Sequence, residues 1–316
     1  MSETKISVIT VYNDQRVLEE WLLDSLSGQD FEEFETITID NRDGIFPSAA
    51  EALNYGASQA SGEYYVFIHQ DVRLLTESWL QELYDYLSTA PELGMAGVTG
   101  MAADGECRED RARNIIFHGR PPTDEERKSL AEDIARPWTK KELTEEDQIN
   151  QEELRYVLNH KEVVFPATGN EISEPELVQT VDELLMAVPS DIFDERSFNT
   201  EVCDGWHLYG VEYALYLNYR SPHSVYVLPL NVWHRSTGLT MGNEYYKTLD
   251  RIVAEYKDDG VKNIYATTGD WPVRRSVTYL HRFSIFRITN RLVNMIGKAM
   301  NNPRKAIRFL RHKARL

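Results

Sequence analysis

The stretch that decides the fold is "YYVFIHQDVRLL", Tyr64 to Leu75. Tyr64, Tyr65, Val66, Phe67 and Ile68 suit the interior of a sheet. They run straight into a histidine, an amide and an acid. Turns favour Gly, Asn or Pro, and His69, Gln70 and Asp71 supply none of these. A buried strand that ends this way reads as one whose tip holds something. The plainer reading of Asp71 is a helix cap or turn residue.

On either side the chain alternates strand and helix. "KISVITVYND" (Lys5–Asp14) is an apolar run of strand length. "QRVLEEWLLDSLSGQ" spaces Val17, Leu18, Trp21, Leu22 and Leu26 as a helix does, with Gly28 as its stop. "FETITIDNRDG" (Phe34–Gly44) alternates and then turns. "PSAAEALNYGASQASG" (Pro47–Gly62) predicts a helix, with proline near its start and glycine past its end. After the quoted strand comes a helix from about Glu77 to Ser88, then a short strand, "GMAGVTG". This rhythm predicts an α/β fold with a mostly parallel, doubly wound sheet. Ligands of such sheets sit beyond the carboxyl ends of the strands. Asp14, Asp40 and His69–Asp71 all fall at such ends, so three polar tips converge on one crevice.

The chain is 316 residues long and carries a formal charge of −17. Twelve lysines and arginines and no acid lie between Arg274 and Leu316, which leaves 22 basic against 51 acidic residues before them, a balance of −29. An acidic body of that size argues against nucleic acid as a partner. Cys107 and Cys203 are the only cysteines, too few for a disulfide framework and consistent with a reducing, cytoplasmic setting. "MSETKISVIT" lacks the basic start and apolar block of a signal peptide. No run approaches the roughly 18 apolar residues of a spanning helix.

Residues 1–240 read as one sheet domain, interrupted over about 102–177 by a charged, helical insertion such as "TKKELTEEDQINQEELRYVL". Core character returns in "VQTVDELLMAVPSDIF" (Val178–Phe193). "HSVYVLPLNVWHRS" (His223–Ser236) reads as a further buried strand ending on Trp233 and His234. Residues 241–316 read as a helical region whose tail, 274–316, alternates apolar and basic residues. That tail predicts a helix attracted to an anionic membrane surface, which would hold the protein peripherally at the cytoplasmic face. The plainer reading is a helix lying across the acidic body.

A carboxylate and an imidazole at strand tips can ligate a divalent cation. Asp71 would offer oxygen and His234 nitrogen, with the oxygens of a diphosphate completing the shell. Such a cation neutralises a diphosphate leaving group. The plainer reading of His234 is a core histidine.

The order of "ISVITVYND", "TITIDN" and "SAAEALNYGASQASGEYYVFIHQDV" resembles the nucleotide-binding half of inverting GT-A glycosyltransferases of family 2. "FIHQDV" resembles a variant of that family's metal motif in which His-Gln-Asp replaces Asp-x-Asp. The resemblance continues through "VDELLMAVPSDIF", "DGWHLYGVEYALYLNY" and "VYVLPLNVWHRSTG". It implies a GT-A sheet domain and transfer of a sugar, with inversion, from a nucleoside-diphosphate sugar to a glycan or lipid-linked acceptor. It also implies Mn²⁺ or Mg²⁺ held by Asp71 and His234. Thr10, Val11, Tyr12 and Asp14 would line the base and ribose pocket, and Asp40 would bind base or ribose. Asn54, His69 and Gln70 would lie on the nucleotide-sugar side. Asp182 would start the acceptor-side strand, and Trp206 and His207 would meet the acceptor sugar.

An inverting transfer needs one base for the acceptor hydroxyl. Relatives often carry His-x-Tyr-Asp-x-Asp where this chain has His207-Leu208-Tyr209-Gly210-Val211-Glu212. Gly210 replaces the first acid, which leaves Glu212 as the first choice of base and Asp204 as the second. The missing acid also supports an alternative, a non-catalytic nucleotide-sugar or glycan-binding protein on the same fold. A dinucleotide-dependent enzyme is disfavoured, because no glycine follows the first strand where G-x-G-x-x-G would be needed.

Overall fold

A strand that is apolar on both faces belongs in the middle of a sheet with a layer of helices on each side. In β1 (Ile6–Tyr12), Val8 packs to one side of the sheet and Ile9 to the other. The computed structural model describes residues 4–120, 163–166, 169–235, 241–273 and Tyr279. After β1 comes a helical run made of α1 (Gln15–Val17), a π-helical stretch (Leu18–Leu23) and α2 (Asp24–Ser27). Next are β2 (Phe34–Asp40), α3 (Ala49–Ala57), β3 (Tyr64–Ile68), β4 (Val72–Leu74), α4 (Trp79–Thr89) and β5 (Leu93–Gly97). Short pieces follow: β6 (Gly100–Met101), α5 (Arg108–Arg111), β7 (Ala112–Arg113), β8 (Phe117–Arg120), β9 (Val163–Pro166), β10 (Glu176–Leu177) and β11 (Thr180–Val181). The chain then forms β12 (Leu185–Pro189), α6 (Ser190–Glu195), α7 (Tyr209–Arg220), β13 (Ser224–Val227), β14 (Val232–Arg235), α8 (Asn243–Tyr256), β15 (Asn263–Ala266) and β16 (Gly269–Pro272).

Among the described residues the main sheet has seven strands in the order β10-β13-β5-β12-β3-β1-β2. β1, β2 and β3 run parallel, as do β5 and β13, while β12 lies antiparallel between β3 and β5. This is the mostly parallel α/β sheet expected of a GT-A chain. Phe67 packs with Phe193 and Phe198 on one face, with ring centroids 4.8 and 4.9 Å away. Val66 and Ile68 pack on the other face with Leu22, Leu80 and Leu83. α8 joins the Phe67 side through Tyr245, Leu249, Ile252 and Tyr256, so the core continues past residue 240 and includes the β15–β16 hairpin.

Two expectations change. The helix expected over Pro47–Gly62 is shorter. It starts where the Ser48 hydroxyl accepts from the Glu51 N–H at 3.2 Å, and it stops at Ala57. "HSVYVLPLNVWHRS" is two strands, not one. β13 pairs with β5 in the main sheet, and β14 pairs with β4 in a second sheet ordered β4-β14-β8-β9. Pro229 lies in the break, and a proline cannot donate to a ladder. Most of the insertion and nearly all of the basic tail lie outside the described residues.

Candidate functional site

His69, Asp71 and His234 meet at the tip of β3, with one ligand atom from each within 4.8 Å of the others. Two pairings build this group. His69 continues β3, its N–H donating to the Leu184 carbonyl at 2.9 Å. β4 then pairs antiparallel with β14, His234 opposite Val72, and the Arg235 N–H donates to the Asp71 carbonyl at 2.8 Å. Trp233, buried against Trp21 at 6.2 Å between ring centroids, anchors β14 from behind. The His234 Nε2 stands 3.5 Å from the Asp71 carboxylate. Burial alone would raise the Asp71 pKa, but the His234 hydrogen bond and the two imidazoles outweigh it and hold the carboxyl below its usual range. Burial pulls His234 down, yet Asp71 leaves it above an ordinary histidine. His69, more deeply desolvated, falls below its ordinary value. One ionised carboxylate between two imidazoles is a sound donor set for a divalent transition ion. His69, placed on the nucleotide side by the sequence, joins this group.

Two cavities meet here, with His69 and Trp206 lining both. The first, about 430 Å³, runs along the tips of β1 and β3 past Val11, Tyr12, Asn13, Asn41, Gln70 and Asp71. Gln70 ties the two tips together. Its Oε1 accepts from the Asn13 and Asp14 N–H groups at 3.1 and 3.0 Å, and its Nε2 donates to the Asn13 side chain at 2.6 Å.

Several sequence-chosen residues stand elsewhere. Thr10 is fully buried in β1 and faces the core. Asp14 caps α1, its Oδ1 accepting from the Arg16 and Val17 N–H groups at 3.0 and 3.2 Å. Asp40 pairs with Arg42, whose hydrogen bonds hold the carboxyl far below its usual range. Asn54 clamps the chain at Phe198, donating to its carbonyl at 2.9 Å and accepting from its N–H at 3.1 Å. None of the four lines either cavity. Asn41, next to Asp40, takes the lining position instead.

The second cavity, about 760 Å³, shares His69 and Trp206 with the first and also includes His234, Asp182 and His207. Trp206 is 44% exposed. His207 packs edge-on against Tyr245 at 5.8 Å, and burial lowers its pKa. Neither sequence-chosen base is in this space. Glu212 is completely buried. It accepts from Arg196 at 2.6 Å and from the Tyr256 hydroxyl at 2.7 Å, so it serves as a core ion pair. Asp204 is ion-paired with Arg251 and lines neither cavity. The carboxylate that sequence reading missed is Glu183, which does line the second cavity. Its signal was its position next to Asp182 at the start of a buried strand.

A family model described as a glycosyltransferase-like family matches residues 7–256. No curated protein matches the sequence significantly. Among solved structures, the chain is similar to residues 1–349 of S. aureus TarS, with 14% identity over 81% of this chain and 66% of that one and a TM-score of 0.44. GalNAc-T7, solved with UDP, GalNAc and Mn²⁺, shows 15% identity over 81% of this chain and 49% of that one, with a TM-score of 0.49. The mannosyltransferase PcManGT from Pyrobaculum calidifontis, solved with GDP-Man and Mn²⁺, shows 13% identity over 99% and 80% of the two chains, with a TM-score of 0.46. The chain thus spans less than two thirds of the first two. The family match, covering most of the sequence, carries the assignment: the chain belongs to the glycosyltransferase-like family.

Proposed function

We propose that the protein transfers a sugar, with inversion, from a nucleoside-diphosphate sugar to a hydroxyl of a glycan or lipid-linked acceptor, using a divalent cation. The single observation that carries this reading is the His69–Asp71–His234 group at the junction of two cavities. The first cavity, floored by Val11 and Tyr12, suits the nucleoside, and the diphosphate would reach Asp71. The second suits the acceptor, with Trp206 offering a ring face to a sugar. His69, Asp71 and His234 would hold the cation, and two imidazoles favour a transition ion such as Mn²⁺ over Mg²⁺. When bound, the cation offsets the charge that gathers on the leaving diphosphate. Attack from the second cavity, opposite the leaving group in the first, would invert the anomeric centre. The basic composition of 274–316 supports a further reading, that the tail holds the protein at an anionic membrane surface on the cytoplasmic side, near a lipid-linked acceptor.

The test is release of nucleoside diphosphate from a panel of UDP-, GDP- and dTDP-sugars. Mn²⁺-dependent release is expected from at least one of them. Asp71→Ala or EDTA should abolish it while the far-ultraviolet spectrum stays unchanged. Release as fast in Asp71→Ala, and in EDTA, as from the wild-type chain with Mn²⁺ would reject the mechanism.

A further inference from the structure

We propose that Glu183 is the carboxylate that takes the proton from the acceptor hydroxyl, in place of the acid that the chain lacks at Gly210. The proposal rests on the transferase reading above.

The placement follows from the sheet. β12 runs antiparallel to β3, with Leu185 opposite Ile68. The residues just before β12 therefore emerge at the same edge as the residues just after β3. Asp182 and Glu183 are thus delivered beside His69. Helix α7 begins at the same place. Leu208, the residue before it, is left-handed at φ 68°, and the Gly210 N–H in the first turn donates to Glu183 Oε1 at 2.9 Å. The carboxylate is held from the backbone, by a helix end that favours negative charge.

Gly210 makes the room. A Cβ there would stand 2.4 Å from the Met186 sulfur and 3.1 Å from Glu183 Cγ. A side chain at 210 would displace the Met186 sulfur and press Glu183 back by a few tenths of an ångström. The residue that seemed to remove the base is the one that lets a carboxylate enter from the neighbouring strand.

The other acids are engaged or misplaced. Asp182 accepts from the Leu184 N–H at 3.0 Å through Oδ1 and from the Thr267 hydroxyl through Oδ2. Glu109, also on the cavity wall, lies exposed on the short helix α5. Glu212 and Asp204 are ion-paired outside the cavity. Glu183 shares the second cavity with His69, His234, Trp206 and His207, so it lies on the acceptor side of the metal group.

Burial pushes the Glu183 carboxyl up to about 8. The Gly210, Leu208 and Val211 N–H groups oppose this rise, and the charge of Asp182 adds to it. Tyr209, Cys203 and Tyr245 are the other titratable groups that feel Glu183. A base with such an affinity accepts a hydroxyl proton more readily than an exposed carboxylate does. In the step, the acceptor O–H proton passes to Glu183 while the acceptor oxygen bonds to the anomeric carbon. The bond from that carbon to the diphosphate oxygen breaks, and the nucleoside diphosphate leaves with the electron pair.

The experiment uses the full chain with Mn²⁺. It measures nucleoside diphosphate release from UDP- and GDP-sugars with water as acceptor, and calorimetric binding of UDP and GDP alone. In Glu183→Gln, whose amide oxygen still accepts from Gly210, release is expected to fall by about 100-fold or more. Nucleotide binding should stay within about twofold, and Glu183→Asp should restore part of the rate. The wild-type rate should rise with pH through about 8, and the residual rate of Glu183→Gln should not. A Gln variant within about threefold of wild type would overturn the assignment. So would parallel loss of rate and binding, which would mark a structural role. Failure of the transferase reading looks different: the wild-type chain itself would show no Mn²⁺-dependent nucleotide binding, and the base assignment would fall with it.

Discussion

Glu183 and Glu212 are two carboxylates with opposite fates, and their surroundings decide both. Glu212 has a guanidinium and a phenol within 2.7 Å. Removing it leaves Arg196 without its charge partner beneath the surface. Glu212→Ala should cost about 3 kcal/mol of stability, seen as a lower urea midpoint. An unchanged midpoint would show that the pair contributes nothing. Among the described residues no cation pairs with Glu183, and its pKa lies at about 8, above the ordinary 4.5. The folded state then binds more protons than the unfolded chain between those two values. Stability therefore falls as pH rises through that window. Glu183→Gln removes the penalty. The variant should melt near wild type at pH 5 and above it at pH 9, and identical melting at both pH values would contradict the burial argument. Asp71 was legible in the sequence because a polar residue directly after a buried strand is a local pattern. Glu183 was not, because its neighbours are Gly210 and His69, which only the fold brings near.

At the scale of elements, antiparallel pairing is what local pattern does not disclose. Local pattern marked β3 as a buried strand and gave core character to Val178–Phe193, where β12 lies. It could not say that β12 inserts antiparallel between β3 and β5, and that register puts residues 182–183 at the edge that carries His69 and Asp71. The proline break between β13 and β14 is readable in "VLPLNVW", although the run as a whole has the apolar character of one strand. Its consequence is that His234 leaves the main sheet and pairs beside Asp71. Thr10 follows from the family resemblance alone, and it lies fully buried in a strand covered on both faces. At the β12–α7 junction, Gly210→Ala should force Met186 and Glu183 apart. Transfer should fall by about tenfold or more, because a misplaced catalytic group loses rate steeply. Nucleotide binding should hold. Full transfer would show that the close approach at 210 does not position the carboxylate.

For the whole molecule, charge is divided along the chain. The body before residue 274 is strongly acidic and the last 43 residues hold twelve basic groups. Among the described residues no helix is long and apolar enough to cross a membrane. A tail that binds anionic lipid should float the full chain with phosphatidylserine vesicles in a salt-sensitive way. A chain ending near Asp270 should not float. Equal flotation of both would remove the membrane surface from the account. The fold class and Asp71 were legible because they rest on repeated local patterns. Glu183 and the exact wall of the first cavity were not, because they depend on which strand neighbours which.

A cation at His69, Asp71 and His234 would join the nucleotide's diphosphate to the tip of β3. Calorimetric titration of UDP and GDP into the full chain, with Mn²⁺ and with EDTA, tests it most directly when repeated on Asp71→Ala. At least one nucleotide should bind with Mn²⁺, and at least about tenfold more weakly (about 1.4 kcal/mol) in EDTA or in the variant. Equal binding under all three conditions, or none to the wild-type chain with Mn²⁺, would contradict it.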